Sequence, residues 1–326
     1  MNRIRLSKLI ALSIGLLCIF LAYNYNKSAT YQTSGPIFGT YWKLVSTEYV
    51  PDSLIKSIDN ELNRIDLIAS NYKTASELSF INQSPINREI KISFDMYSLL
   101  SFAENLNQKT NGFYDITLGS LVINEGFGPK RSMIANPILV SNKRFEFISN
   151  SSIIKKDNFQ FDLSSIAKGY AVDAIAQLLI SADRNNFLID IGGEIIANGS
   201  KHGAPWIIGI QDPSTIHNKA SIEIYSNDFL AVATSGEYRN YKLNDDGELG
   251  SHTFNPKTKQ SIKNKSYSVT VVSEHSSMVA DAWATALNVL GPEQGIKVAN
   301  KQDVSVMYIM QENNNLIKSD SWNYSD

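Results

Sequence analysis

The alternation of apolar and polar positions divides the chain into elements. In "DSLIKSIDNELNRIDLIASNY", Leu54, Ile58, Leu62 and Ile65 fall on one helical stripe behind an Asp cap. "SFDMYSLLSFAENLNQKT" fits a second helix, with Gly112 just past its end as a stop. The stretch "FDLSSIAKGYAVDAIAQLLI", residues 161–180, reads as a strand ending near Leu163 and then a helix from about Ser165. Ala171, Ile175, Leu178 and Leu179 give that helix its apolar stripe, and Ser164 or Ser165 suits its N-cap. "IFGTYWKLVST" predicts a strand with a Gly kink, and "GFYDITLGSLVINEGFGPK" a loop-rich stretch. Residues 130–160 read as short strands and turns. "NNFLIDIGGEIIANG" predicts two strands meeting at Gly192 and Gly193, with further strands in "PWIIGIQDP" and "ASIEIYSNDFLAVATSG". "SYSVTVVSEHSSMVADAWATALNVLG" is a strand, a loop and a helix ending at Gly291, and "DVSVMYIMQENN" is a closing strand. Helix then strand occurs at 165–196 and again at 280–311, a hint of internal duplication. Runs of strands with long helices between some of them predict an α+β or mixed-sheet α/β fold, with 31–326 as one unit.

The first 30 residues stand apart. Arg3, Arg5 and Lys8 precede an apolar run from Leu9 to Tyr23, as in an export signal. As a helix it spans about 22 Å, short of the roughly 30 Å hydrocarbon core. No good small-x-small cleavage site follows, "NKSAT" being a weak match, and Leu17 precedes the single cysteine, Cys18, where lipid attachment favours small residues. The expectation is an uncleaved or poorly cleaved membrane anchor, with a lipoprotein and a buried helix as alternatives. Localisation then falls on the periplasmic side of a bacterial inner membrane.

Composition narrows the chemistry. Hydrophobic residues make up 43% and charged residues 19%, which supports a buried core. A formal net charge of −2 speaks against a nucleic-acid partner. P-loop, Rossmann, His-Glu-x-x-His and Gly-x-Ser-x-Gly patterns are missing. The four histidines, His202, His217, His252 and His275, lack zinc spacing.

Four constellations carry candidate chemistry. Lys168 falls in the first turn of its helix, where the backbone dipole disfavours a cation by some tenths of a kcal/mol. It either completes an anion site beside Asp162 or is a solvated lysine paired with Asp162 or Asp173. In "ADAWAT", Asp281 and Thr285 share a helix face, with Ala284 on the adjoining turn. These are hard oxygen ligands suited to Mg²⁺, or else a dipole partner and a packing residue. "SHTFNP" places His252 near the Asn255-Pro256 turn after Thr234-Ser235-Gly236, as a proton acceptor or a turn histidine. The paired glycines of "DIGGEI" allow close backbone approach to a ligand or to another strand.

In order, "SNYKTASELSFIN", "GFYDITLGSLV", "GFGP", "DLSSIAKGYAVDAI", "DIGGEI", "ATSGEYRNY", "SHTFNPKT" and "ADAWATALNVLGPEQG" resemble the ApbE family of FAD:protein FMN transferases across roughly residues 36–310. The resemblance implies an α+β, duplicated T-fold-like architecture. It implies Mg²⁺-dependent transfer of FMN from FAD to a threonine hydroxyl of a target protein, with release of AMP. The implied target is a subunit of a membrane redox pump of the Nqr or Rnf type. By the same resemblance Phe38, Tyr72, Glu125, Gly126, Phe127, Asp162, Lys168 and Phe254 contact FAD. Ser165, Asp281, Ala284 and Thr285 are the implied metal positions, with Ala284 acting through its backbone, and His252 the implied base. Many relatives carry methionine at Phe38, tryptophan at Glu125 and aspartate at Asn255. The alternatives are an Mg²⁺-dependent FAD pyrophosphatase releasing FMN and AMP, and a flavin-binding module without turnover.

Overall fold

The computed structural model describes residues 8, 10–20, 29–128, 144–211, 220–236, 242–243, 249–250, 253–262, 267–312 and 314–324. The chain opens with α1, residues 10–20, then β1 (Tyr31–Ile37), β2 (Thr40–Ser46), α2 (Asp52–Ala69), α3 (Glu77–Gln83), β3 (Glu89–Lys91), α4 (Phe94–Lys109) and α5 (Gly119–Asn124). It continues with β4 (Phe145–Ser149), β5 (Ser152–Lys155), α6 (Ala167–Ser181), β6 (Phe187–Ile191), β7 (Glu194–Asn198), β8 (Trp206–Gln211), β9 (Ala220–Ser226) and β10 (Leu230–Ser235). Four two-residue strands follow: β11 (Lys242–Leu243), β12 (Leu249–Gly250), β13 (Phe254–Asn255) and β14 (Gln260–Ser261). The chain then forms β15 (Tyr267–Ser273), α7 (Ser277–Gln302), β16 (Ser305–Met310) and β17 (Leu316–Lys318). Among the described residues no helix is long and apolar enough to cross a membrane.

The spine is an eight-stranded sheet in the order β1-β2-β6-β7-β10-β15-β16-β17, antiparallel at every pairing. Its two halves repeat a pattern. Hairpin β1–β2, a helical layer ending in α6, and hairpin β6–β7 form one half. Strands β10 and β15, then α7, then hairpin β16–β17 form the other. This is the duplication hinted at by the sequence. Side-chain alternation splits the core. Ala231 packs under α2 and α6 with Ile58, Leu62, Ile175 and Leu179. Its neighbours Leu230 and Val232 face the other way, onto Trp206, Ile208 and Ile224 of hairpin β8–β9 and onto Trp322. A third cluster joins α3, α4 and β3–β5 to α7. Each large side chain so buried contributes about 1.5–3 kcal/mol.

Several local expectations need correction. Residues 37–47 are not one kinked strand. Phe38 (φ 50°) and Gly39 (φ 74°) make a two-residue hairpin turn, with Ile37 opposite Thr40. Both central residues have positive φ, as right-twisted strands require of such turns. Residues 161–163 form no strand before α6: Gln160 makes a single bridge to Leu118, and 161–163 are irregular. α6 begins at Ala167, and its N-cap is Ile166 rather than Ser164 or Ser165. α2 starts at Asp52 with Pro51 as its cap residue. Gly291 does interrupt α7 (φ 72°, ψ 170°), but helix resumes at Pro292 and runs to Gln302. Helices α3 and α5 were not expected; each is short, below the length at which periodicity is readable.

Candidate functional site

The turn Phe38–Gly39, the turn Gly192–Gly193, the end of β10 and the start of β15 lie at one end of the sheet. The register fixes this: Trp42 pairs with Ile191, Ile191 with Glu194, Val232 with Ile195, and Ser235 with Val269. Gly192 (φ 65°) lies so close to Thr40 that a Cβ there would meet its methyl at 3.0 Å. Gly192 therefore lets the two hairpins pack closely, and Gly193 (φ 107°) completes the turn. Phe38 holds a left-handed backbone that costs a non-glycine residue about 1 kcal/mol or more.

Helices α6 and α7 meet at this end by capping each other. Ile166 offers no capping side chain, so the Gly169 N–H donates instead to Asp281 Oδ2 of α7 at 3.0 Å. In return Asp173 of α6 accepts from the Ser277 N–H (2.6 Å), the Met278 N–H (2.9 Å) and Ser276 Oγ (2.6 Å). Gly169 makes the crossing possible, because a Cβ there would lie 2.4 Å from the Ser277 carbonyl oxygen.

Lys168 lies within this junction. Its Nζ is 2.6 Å from Glu194 Oε1, and neither of the partners expected for a solvated lysine, Asp162 or Asp173, is the one it meets. Burial alone would lower its pKa. Glu194, Asp281 and Asp190 outweigh burial and hold the ammonium above the ordinary lysine value. Glu194 and Asp281 are both buried, and burial raises both carboxyl groups despite Lys168. Fully buried Glu194 Oε2 has no hydrogen-bond partner. Three acidic groups thus act on one ammonium, and with two of them raised by burial the site takes up a proton or a further cation to balance its charge.

The implied metal positions fit that charge. Ser165 Oγ shares a 2.9 Å hydrogen bond with the Tyr114 hydroxyl. Burial pushes Tyr114 upward, and the charges of Asp281 and Asp162 add to the rise, so both acids act on the phenol that Ser165 touches. Thr285 is half-buried, one turn on from Asp281, and Ala284 is buried and can offer only its carbonyl. Among the described residues no three His, Cys, Asp or Glu side chains gather as a metal cage. One carboxylate with hydroxyls and a carbonyl is instead the sparse oxygen set that suits Mg²⁺ keeping waters and phosphates.

The expected flavin contacts assemble beside this group. The Tyr72 hydroxyl donates to the Phe127 carbonyl at 3.3 Å. Tyr72 is 62% exposed, and its pKa is raised by partial burial and by Asp162. Phe127 packs against the cluster of Leu118, Val122 and Phe254, so two of the expected aromatics share one cluster. Glu125 ends α5 as its C-cap residue, and Gly126 (φ 83°) turns the chain toward Phe127. His252 lies outside the described residues. The residue that sequence reasoning missed is Glu194. Its signal was a lone acid opening the apolar strand "EIIAN" directly after the glycine pair.

The family model for the ApbE family matches residues 38–309. The chain is 36% identical over 292 residues to the FAD:protein FMN transferase of Vibrio cholerae, covering 85% of this chain and 86% of that protein. It is 31% identical to the FAD:protein FMN transferase of Haemophilus influenzae, covering 97% and 96%. The solved flavin transferase ApbE from Vibrio cholerae superposes with a TM-score of 0.77 at 31% identity, covering 90% of this chain and 98% of that one.

Proposed function

The chain belongs to the ApbE family, and from that premise we propose that it is an FAD:protein FMN transferase acting on a target threonine. One observation carries the site assignment. The Gly169 N–H to Asp281 bond ties the segment opening with Asp162 to the 281–285 turn, so that both can face one diphosphate. In this reading the threonine oxygen bonds to the FMN-side phosphorus of FAD. The bond from that phosphorus to the bridging oxygen breaks, AMP leaves with that oxygen, and His252 takes the hydroxyl proton. Lys168, kept protonated by its acids, faces the diphosphate. Asp281, Ser165, Thr285 and the Ala284 carbonyl would hold Mg²⁺. When bound, Mg²⁺ supplies neutralisation of charge at the diphosphate. Tyr72 and Phe127 offer aromatic surface to the flavin, buried Phe254 packs behind Phe127, and Phe38 lies in the turn at the end of the sheet. The N-terminal apolar segment serves as an export anchor, which puts the enzyme on the periplasmic side with its redox-pump target.

Incubation with FAD, Mg²⁺ and candidate pump subunits tests this. The expected result is a fluorescent flavin band on the target in a denaturing gel, with one AMP released per FMN attached. Free FMN with AMP would make the protein a pyrophosphatase, and FAD binding without AMP would make it a carrier.

A further inference from the structure

The Asp162 segment forms no strand, yet its backbone is clamped: the Asp162 N–H donates to the Ile116 carbonyl at 2.7 Å, and the Phe161 peptide meets a side chain. The Phe161 N–H donates to Asn82 Oδ1 at 2.7 Å, and Asn82 Nδ2 donates to the Phe161 carbonyl at 3.0 Å. One buried carboxamide thus does the work of a neighbouring peptide, as acceptor and donor at once. The same Nδ2 reaches Asn71 Oδ1 at 3.4 Å. Asn71 Nδ2 in turn donates to Asp162 Oδ1 at 3.0 Å, where the Ser164 N–H also donates at 2.9 Å. Asn82 closes the last turn of α3, and Lys155 Nζ grips its carbonyl at 3.1 Å. Asn71 stands next to Tyr72, whose hydroxyl meets Phe127. The relay therefore runs from a buried helix end to a carboxylate among the expected flavin contacts.

We propose that Asn71 and Asn82 are positioning residues for FAD, acting through Asp162. Two donors on Oδ1 anchor the carboxylate, and the Asn82 clamp, together with the Ile116 carbonyl, holds the backbone that carries it. This rests on the reading of Asp162 as an FAD contact. An aspartate at 82 could still accept from Phe161 but could not donate to its carbonyl, and it would add charge beside Asp162.

The test is a double-mutant cycle on FAD affinity, read by flavin fluorescence titration with the full chain. Asn71→Ala is expected to weaken binding about tenfold. Asp162→Ala is expected to weaken it at least as much. The double variant should match Asp162→Ala within about twofold, since residues acting through one contact are not additive. Asn82→Asp should raise KM for FAD while kcat at saturating FAD stays within about threefold. Unchanged affinity in Asn71→Ala, or losses that multiply in the double variant, would overturn the proposal. A wild-type chain that binds no FAD would remove the functional reading itself. FAD binding with multiplying losses would remove only the relay.

Discussion

Lys155 and Lys168 are both drawn into the protein, and they are handled in opposite ways. Lys155 is 1% exposed and meets only dipoles: Nζ lies 3.1–3.4 Å from the carbonyls of Ile81, Asn82 and Ser84, and 5.4 Å from the Phe159 ring centre. Burial lowers its pKa to about 8. It caps the C-terminus of α3, where a helix dipole welcomes a cation. Lys168 sits at the opposite kind of helix end, in the first turn of α6, and meets Glu194 with Asp281 and Asp190 beyond. Its charge is held above the ordinary range. The structural lysine is solvated by backbone that a fold must satisfy anyway. Lys168 faces more acids than one ammonium balances, an arrangement costly to the fold unless a proton, a cation or a substrate completes it.

The largest expected difference is in chemistry. Lys168→Met should cut FMN transfer by about 100-fold or more and also lower the unfolding midpoint, because it strands buried Glu194, whereas Lys155→Met should keep transfer at saturating FAD within about threefold. Equal losses in both would erase the distinction between the two lysines. Stability comes next. Lys155→Met removes the donor from three carbonyls at the end of α3 and should cost about 1–2 kcal/mol at neutral pH, measured by urea unfolding. Asp173→Asn weakens the cap on α7 and should cost about 1 kcal/mol, again by urea unfolding, with the helix dipole losing its carboxylate.

The smallest and sharpest difference is the pH signature. Lys155 has a lowered folded pKa, so between about pH 8 and its unfolded value near 10.5 the unfolded chain binds more protons than the folded one. Its contribution to stability therefore rises with pH across that window, by at most about 1.4 kcal/mol per unit. Lys168 has a raised folded pKa, so its contribution is complete below about 10.5 and is lost above that. Lys155→Met should flatten the rise above pH 8 in a series of urea titrations. A slope unchanged by that substitution would show that the lysine is not desolvated as described.

Much of this was legible in the chain. Hairpin β6–β7, helices α2 and α4 and the first part of α7 follow from periodicity and Gly stops, because each is long enough to show its stripe. The likeness in motifs singled out Asp162, Lys168 and Asp281, and the structure brings Lys168 and Asp281 to one helix junction. What the sequence withheld is tertiary. Lys168 looked misplaced because the partner that explains it, Glu194, lies on a strand a helix and a turn away. Ile166 looked like a poor cap because the cap comes from Asp281 on another helix. Asn82 reads as an ordinary helix residue, and only the irregular course of 161–163 gives its amide a role.

The central claim is that Asp281 and the Asp162–Lys168 segment grip one diphosphate together. Asp281→Asn tests it most directly, because asparagine keeps an oxygen for the Gly169 N–H and so spares the helix junction. The account predicts that this variant unfolds within a few degrees of wild type yet transfers FMN at least about 100-fold more slowly, with the flavin band on the acceptor as the readout. A variant that labels the acceptor at the wild-type rate would contradict it.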